Sequence, residues 1–145
     1  MIRRPPRSTL DRSSAASDVY KRQDEDLLWL FNENTDEKRA LSELRAIANA
    51  ELLILTRGAK GSSIWHNDKW HKAPAYPVDK LSDTVGAGDT FMASVLVWLI
   101  KNENMKRLGV LELKDKQDLQ YYAGKAASLN CKKQGCNPPW ENELL

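Results

Sequence analysis

Hydrophobic positions between residues 24 and 56 predict two helices followed by a buried strand. The apolar run at 27–31 comes after three acidic residues, a charge order that suits the first turn of a short, buried helix. In the next helix Thr35 is a candidate N-cap, and acids at 36 and 37 lie in the first turn. The residues that recur there at helical spacing are Leu41, Leu44, Ile47 and Ala48. The compact run at 51–56 predicts an interior parallel strand.

The pattern after residue 60 predicts a hairpin and two further helices. Residues 62–73 form two arms around Asn67-Asp68, a pair that tolerates left-handed backbone angles, and this predicts a β-hairpin. Residues 90–100 are apolar nearly all round, which predicts a buried central helix. A last helix is expected at 115–133, ended by Gly135. Its apolar face comprises Leu119, Tyr122, Ala126 and Leu129. Helices and strands that alternate in this way predict an α/β fold.

Residues 1–23 differ from the rest of the chain. They are rich in Arg, Ser and Pro and have almost no apolar periodicity, which predicts a disordered leader. Acids and prolines within the segment argue against a transit peptide. The segment also resembles the translated read-through of a sequencing-library adaptor. We therefore expect an artefactual leader, with a genuine flexible leader as the alternative, and residues 24–145 are expected to carry the fold.

Composition and charge exclude several classes of protein. Charged residues make up 29% of the 145 residues and hydrophobic residues 41%, which is ordinary for a globular protein. No apolar run reaches the length of a membrane span, and a net charge of +2 is too small to indicate a nucleic-acid partner. Without a secretory signal, we expect a cytoplasmic protein in which Cys131 and Cys136 are buried, reduced thiols. His66 and His71 have no third metal ligand near them in sequence and are expected at the surface.

A glycine turn precedes the helix expected at 90–100. The small residues of Gly86-Ala87-Gly88 let a substrate approach the backbone, and unpaired N–H groups at the helix start, together with the helix dipole, form an anion site. Asp89 lies at the mouth of the same helix, where the ionised carboxylate is favoured and can accept a proton from an attacking hydroxyl. This arrangement suits phosphoryl transfer. The alternative is a tight turn with Asp89 as its N-cap.

Three strings resemble one family of enzymes. The string DTVGAGDTF at 83–91 resembles the DTxGAGD signature of the ribokinase-like (PfkB) carbohydrate kinases, and LTRGAKG at 55–61 is similar to their T-x-G-x-x-G strand end. Residues 123–129 resemble the family's alanine-rich helix beside the adenine pocket, and 134–140 resemble its closing loop, most like that of bacterial fructokinases. The resemblance covers 24–145. It implies the C-terminal, nucleotide-binding and catalytic part of a three-layer α/β/α fold with a mostly parallel sheet and a β-hairpin.

The resemblance also implies roles for individual residues. Asp89 is the expected catalytic base. The expected anion hole is formed by the amides of Gly86, Ala87, Gly88 and Asp89. The residues expected to contact ATP are Thr56, Gly58, Gly61 and Gly124. Asp83 and Val85 are expected to serve a monovalent cation, usually potassium, that strengthens the field of the anion hole.

Two departures from the family pattern bear on activity. The family's N-x-x-E motif organises Mg²⁺ through water, and here QDED at 23–26 occupies its place, with Asp26 in the acid position and a helix N-terminal acid as the alternative role. Relatives are longer, and their N-terminal half supplies the lid and nearly all sugar contacts. We therefore expect this chain to be inactive alone and to expose sheet edges that favour aggregation. Because family dimers usually form through the lid, a homodimer is an expectation for a full-length parent only.

The leading hypothesis is phosphoryl transfer from MgATP to a primary hydroxyl of a sugar, with fructose to fructose 6-phosphate as the first candidate. Ribose, 2-keto-3-deoxygluconate or a nucleoside stay open as acceptors, because the residues that read the sugar are absent. Two other classes also stay open. One is a non-catalytic nucleotide-binding module in which Asp89 only caps a helix. The other is a small α/β partner-binding domain, which nucleotides would not stabilise.

Overall fold

The secondary structure follows the expected alternation of helices and strands. A computed structural model of the chain describes residues 19–23, 36–48, 50–104 and 106–145. In chain order these residues form β1 (Val19–Gln23), α1 (Glu37–Ile47), β2 (Leu52–Thr56), β3 (Ser62–His66), β4 (Lys69–Ala73), α2 (Ala87–Lys101) and α3 (Leu113–Cys131). Single 3₁₀ turns lie at Gly58–Lys60, Leu108–Val110 and Glu141–Glu143. The helix predicted at 27–31 lies outside the described residues. The prediction of Thr35 as N-cap of α1 is wrong, because the N-cap residue is Asp36, which was expected in the first turn.

The four described strands form one sheet in the order β1-β2-β3-β4. β1 and β2 are parallel, with Val19 opposite Leu52, so β2 is an interior strand. β2 and β3 are antiparallel, and so are β3 and β4. The expectation of a mostly parallel sheet is therefore not met within the described residues. The physical reason is the hairpin, because a short connection can only join antiparallel strands.

Part of the segment expected to be a disordered leader is folded. Val19–Gln23 form β1, paired along its whole length with β2. The prediction of disorder was based on missing apolar periodicity, but an edge strand is held by backbone hydrogen bonds to its neighbour, and Val and Tyr favour extended backbone. For these five residues the prediction of disorder is wrong. Residues 1–18 lie outside the described residues, and an artefactual origin of the segment stays a prediction.

Helices cover both faces of the sheet. Alternate residues of a strand point to opposite faces, and the two hydrophobic clusters divide β2 in this way. Leu53 and Leu55 pack with Leu41 and Leu44 of α1. The opposite cluster contains Leu52, Ile54 and Ile64 of the sheet, Phe91, Val95 and Leu99 of α2, and Leu119 and Ala123 of α3. Burial of each such leucine side chain contributes about 1.5–3 kcal/mol to the free energy of folding. The described residues thus form three layers, with the sheet in the middle.

Two expectations about helix faces are wrong in detail. Ile47, expected on the buried face of α1, is 56% exposed. α2 buries one stripe and leaves the apolar side chains of Leu96, Val97 and Ile100 exposed, the last at 64%. α2 is therefore not buried all round, since one helix face packs on the sheet and α3 and no described residue covers the other. None of the helices in the described ranges is long and apolar enough to cross a membrane.

The β-hairpin prediction is confirmed. Asn67 and Asp68 join β3 to β4, with φ angles of 48° and 59°. Two successive left-handed residues form the type of turn that matches the twist of a two-residue hairpin. Trp65 and Trp70 lie opposite each other on the two arms, with ring centroids 5.3 Å apart in an edge-to-face arrangement.

Candidate active site

The glycine turn leads directly into α2, as predicted. Gly86 is the N-cap residue of α2, with φ at +75°, a left-handed conformation that glycine adopts without strain. α2 then begins at Ala87, so the first backbone N–H groups have no acceptor within the helix. The Ala87 N–H donates to the carbonyl of Thr84 at 3.2 Å. The N–H groups of Gly86, Gly88 and Asp89 have no acceptor among the residues that the structure describes.

Asp89 lies in the first turn of α2 with its carboxylate exposed. The N-cap position belongs to Gly86, and no side chain caps the helix. The alternative that Asp89 is merely the N-cap is therefore wrong. Within the described part of the chain its carboxylate has no hydrogen-bond or ion-pair partner. The helix dipole favours a negative charge at this position.

Asp83 ties the glycine turn to the segment that follows α3. Its Oδ1 accepts a hydrogen bond from the Val85 N–H at 3.0 Å, and its Oδ2 accepts one from the Gly135 N–H at 2.9 Å. These two backbone donors lower the pKa of the Asp83 carboxyl, the Val85 bond contributing most. Asp83 is therefore a fixed negative charge, and its orientation is set by backbone on both sides.

Residues 132–140, which include the string at 134–140, are called the closing loop below and begin where α3 ends. The Cys131 carbonyl accepts hydrogen bonds from the N–H groups of Ser82 at 2.8 Å and Asp83 at 3.2 Å. Burial, followed by the nearby charge of Asp83, raises the pKa of the Cys131 thiol. Cys136 is exposed, which corrects the expectation that both thiols are buried. Its sulfur lies against Gly86, where an added Cβ would come within 2.3 Å of Sγ.

The residues expected to contact the nucleotide lie on other elements. Thr56 ends β2, and Gly58 and Gly61 follow it with φ angles of +54° and +92°. At Gly61 a Cβ would lie 2.0 Å from the Ala73 carbonyl oxygen, so only glycine fits there, whereas Gly58 has open space around it. Gly124 lies on α3 and also faces open space. Gly58, Gly61 and Gly124 share no hydrogen bond with the glycine turn in the described residues.

The structure thus brings together only part of the predicted site. Asp83 accepts a hydrogen bond from Gly135 of the closing loop, Val85 accepts one from Asn130 at the end of α3, and Gly86 lies against the Cys136 side chain. Asp26 lies outside the described residues. Sequence reasoning missed Asn130, which hydrogen-bonds to both the turn and the closing loop. The sequence does show a single amide side chain among small and apolar residues at the end of α3. Helical periodicity alone does not predict that such a residue bonds to distant loops.

A cavity of about 770 Å³ lies elsewhere, between the hairpin turn and the start of α3. Glu51, Trp65, His66 and Lys116 are among its lining residues, and no residue of the predicted site is. Burial lowers the pKa of His66, which is half-exposed like His71. No group of three or more His, Cys, Asp or Glu side chains is placed to hold a metal ion in the described ranges. Because its lining residues lie outside the predicted site, this cavity does not coincide with the glycine turn.

The described residues combine an α/β fold with a glycine turn that leaves N–H groups unpaired at a helix N-terminus, and comparison with known proteins gives the family. The sequence profile described as pfkB family carbohydrate kinase matches residues 2–143, and the chain belongs to this family. The resemblance seen in the motifs is thus confirmed. The match begins inside the segment expected to be a leader.

Known relatives differ in their named substrates. Fructokinase from Rhizobium leguminosarum bv. trifolii is 35% identical over 111 residues, which cover 77% of this chain and 33% of that enzyme. A nucleoside kinase from Methanocaldococcus jannaschii is 32% identical over 65 residues, which cover 45% of this chain and 22% of that enzyme. The chain therefore spans about a third or less of these two proteins.

A solved structure of similar fold is that of a fructokinase double mutant from Vibrio cholerae O395 with fructose, ADP and a potassium ion bound. It superposes with a TM-score of 0.72 at 22% identity, and the match covers 90% of this chain and 39% of that one. At this identity the likeness shows the fold alone.

Proposed function

We propose that the chain carries the catalytic, nucleotide-side part of a kinase that transfers the γ-phosphoryl group of ATP to a primary hydroxyl of a sugar. One observation carries the proposal. The N–H groups of Gly88 and Asp89, unpaired within the described residues, and the exposed Asp89 carboxylate lie on the same turn at the start of a 15-residue helix. A charge-stabilising anion site and a base are the two groups that this reaction needs most. Membership of the pfkB family supports it.

Asp89 acts as the general base in this proposal. Its carboxylate takes the proton of the sugar hydroxyl as the hydroxyl oxygen forms a bond to the γ-phosphorus, while the bond between that phosphorus and the oxygen bridging to ADP breaks. The amides of Gly86, Gly88 and Asp89 point donors at the oxygens of the transferred group, and the dipole of α2 adds a positive field. Ala87 contributes less than the sequence predicts, because its N–H already donates to the Thr84 carbonyl.

The nucleotide lies along the strand end and α3 in this proposal. Thr56 ends β2, and Gly58 and Gly61 follow it, at the carboxyl end of the strand, where α/β sheets bind their ligands. The open space beside Gly58 and Gly124 supports close approach of ATP to the backbone. A ribose or a phosphate can contact the backbone at these glycines directly, because glycine has no side chain that stands in the way.

Two cations complete the proposal. Asp83 and the Val85 carbonyl offer oxygen donors that fit a potassium ion, and the lowered pKa of Asp83 keeps its carboxylate charged. Each of these oxygens already accepts one hydrogen bond and retains a free lone pair. When bound, the ion would add positive charge beside the anion hole. Asp26 is the proposed contact for hydrated Mg²⁺.

Fructose is the proposed acceptor, because the family resemblance in the closing loop and the Rhizobium relative both point to fructokinases. A nucleoside is the second candidate, favoured by the likeness to a nucleoside kinase over 65 residues. We propose further that the 145-residue chain alone is inactive, because it spans about a third of the Rhizobium enzyme.

The test uses the chain joined to the coding sequence that precedes it in its genome, called the extended chain below. It is incubated with MgATP, KCl and one of four acceptors: fructose, ribose, 2-keto-3-deoxygluconate or adenosine. Products are identified by phosphorus NMR. The expected result is fructose 6-phosphate and ADP. Turnover of adenosine alone would move the assignment to the second candidate, and ATP consumption with none of the acceptors would contradict the proposed function.

A further inference from the structure

Asn130 lies at the end of α3 and is fully buried, with 0% of its surface exposed. Its side-chain amide joins two loops. Nδ2 donates to the Val85 carbonyl at 2.9 Å, and Oδ1 accepts from the Asn137 N–H at 2.8 Å. Only this amide orientation satisfies both partners, because the opposite one would place two donors together and two acceptors together. The buried side chain is therefore held in one position.

The bond to Val85 fixes more than one carbonyl. Val85 C=O and Gly86 N–H belong to the same planar peptide unit and point in opposite directions. The hydrogen bond that the Val85 oxygen accepts from Asn130 therefore also fixes the direction of the Gly86 N–H. That N–H is a donor of the proposed anion hole and has no acceptor among the described residues.

Other contacts hold this peptide unit less directly, because the bond from the Ala87 N–H to the Thr84 carbonyl closes the turn around the unit without bonding to it. The Val85 side chain is 58% exposed, so packing does not hold it. Gly86 has φ at +75°, and a glycine can leave this conformation at little cost because it has no Cβ. The Asp83 carboxylate holds the Val85 N–H, which belongs to the preceding peptide unit. Asn130 is the described side chain that bonds to the Val85–Gly86 unit itself.

We propose that Asn130 is a positioning residue for phosphoryl transfer, which sets the direction of the Gly86 N–H by holding the Val85 carbonyl from inside the fold. This inference rests on the proposed function. It differs from a purely structural role in one respect. An anion-hole donor acts on the charge of the transition state, so its misplacement lowers kcat and leaves the KM values for ATP and sugar nearly unchanged.

The test compares two amide-to-acid substitutions in the extended chain. Asn130→Asp keeps the acceptor for the Asn137 N–H and replaces the donor to Val85 by a carboxylate oxygen. Gln120→Glu is the matched control, because Gln120 is a buried amide on the same helix whose Nε2 donates to Ser62 Oγ at 3.0 Å, away from the glycine turn. Both variants place an acid where a buried amide stood, so both lower the melting temperature.

Only Asn130→Asp is expected to lower kcat. The expected loss is at least about 10-fold and at most the 10²–10³-fold that removal of a whole anion-hole donor causes. The affinity for ADP stays unchanged, whereas binding of ADP with aluminium fluoride and fructose, a mimic of the transition state, weakens by the same factor as kcat. Gln120→Glu is expected to leave kcat and the binding of the mimic unchanged. Equal kcat in Asn130→Asp and wild type, or equal weakening of ADP and of the mimic, would overturn the inference.

If Asn130→Asp does not fold, NMR of the wild-type extended chain tests the inference instead. The side-chain NH₂ signals of Asn130 are expected to shift when ADP with aluminium fluoride and fructose is added, and not when ADP is added alone. Signals of Asn130 that do not respond, or that respond no more than those of Gln120, would overturn the inference. An inactive wild-type extended chain contradicts the proposed function first, and this inference with it. An active one with unaffected variants contradicts this inference alone.

Discussion

Substitution of Gly86 by a residue with a Cβ is opposed by the backbone conformation and by a neighbouring side chain. The Gly86 φ of +75° lies in the left-handed region, and the space in which a Cβ would stand is filled by the Cys136 side chain. Gly135 has a similar φ of +71° but nothing within 4 Å of the same position. The two glycines therefore separate the effect of conformation from that of contact.

Gly86→Ala is expected to destabilise the protein more than Gly135→Ala. The left-handed conformation costs each alanine about 1–2 kcal/mol, and overlap with Cys136 adds about 1–3 kcal/mol at position 86 only. Urea unfolding of both variants measures the difference. Cys136→Gly combined with Gly86→Ala is expected to recover most of the additional loss. Equal free energies of unfolding for the two single variants would contradict the account of the closing loop.

At the scale of elements, α3 connects the glycine turn with the hairpin. Its last residues hold the turn through Asn130 and the Cys131 carbonyl, and its first turns hold β3 through Lys116. Lys116 is only 5% exposed, and its ammonium donates to the Trp65 carbonyl at 3.2 Å. Burial lowers the pKa of Lys116, because the charged form loses its hydration.

Lys116 is expected to weaken the fold at neutral pH and to cease doing so at alkaline pH. Its folded-state pKa lies below the model-peptide value of 10.5, so the unfolded state binds the proton more tightly. The cost is present below the folded-state pKa and disappears as the pH rises to 10.5. The free energy of unfolding of the wild type should therefore rise relative to Lys116→Met across this range.

Urea unfolding of wild type and Lys116→Met at several alkaline pH values measures this change. Lys114→Met is the control, because that side chain is exposed and pairs with Asp118 at the surface. The difference from wild type is expected to change more with pH for Lys116→Met than for Lys114→Met, because only Lys116 is buried. A difference between Lys116→Met and wild type that is independent of pH would contradict a desolvated ammonium at this position.

The sequence predicted most elements from local signals. The hairpin followed from Asn67-Asp68, and the glycine turn at the start of α2 from Gly86 to Gly88, because both depend on backbone angles that few residue types adopt. β1 was not predicted, because an edge strand depends on a partner distant in sequence. Asn130 was missed for a similar reason, because its hydrogen-bond partners are outside α3. The Val85 carbonyl, which accepts from its side chain, lies 45 residues away, and the Asn137 N–H, which donates to it, lies 7 residues away.

At the scale of the whole molecule, one face of α2 is apolar and uncovered by described residues. Leu96, Val97 and Ile100 are exposed there, next to the fully buried Leu99. An exposed apolar stripe favours association with other chains. Exposed sheet edges are the surface of self-association expected from the sequence, and this face of α2 is a second candidate surface. Self-association of the 145-residue chain stays a prediction.

Ile100→Lys is expected to reduce self-association of the 145-residue chain without loss of fold, because Ile100 is 64% exposed. Leu99→Lys is expected to unfold it, because a charge would be buried between α2 and its neighbours. Sedimentation and far-ultraviolet circular dichroism of both variants measure these effects. If Ile100→Lys sediments like wild type, this face is not the surface of association.

The central claim is that Asp89 is the base of a phosphoryl transfer at the glycine turn, and the rate of the Asp89→Asn extended chain tests it most directly. Asn keeps the size of the side chain and cannot accept the proton. The account predicts that kcat for fructose phosphorylation falls by about 10²–10⁴-fold. Asp118→Asn, an exposed acid on α3, should stay within about twofold of wild type. An Asp89→Asn variant that keeps the wild-type kcat would contradict the claim.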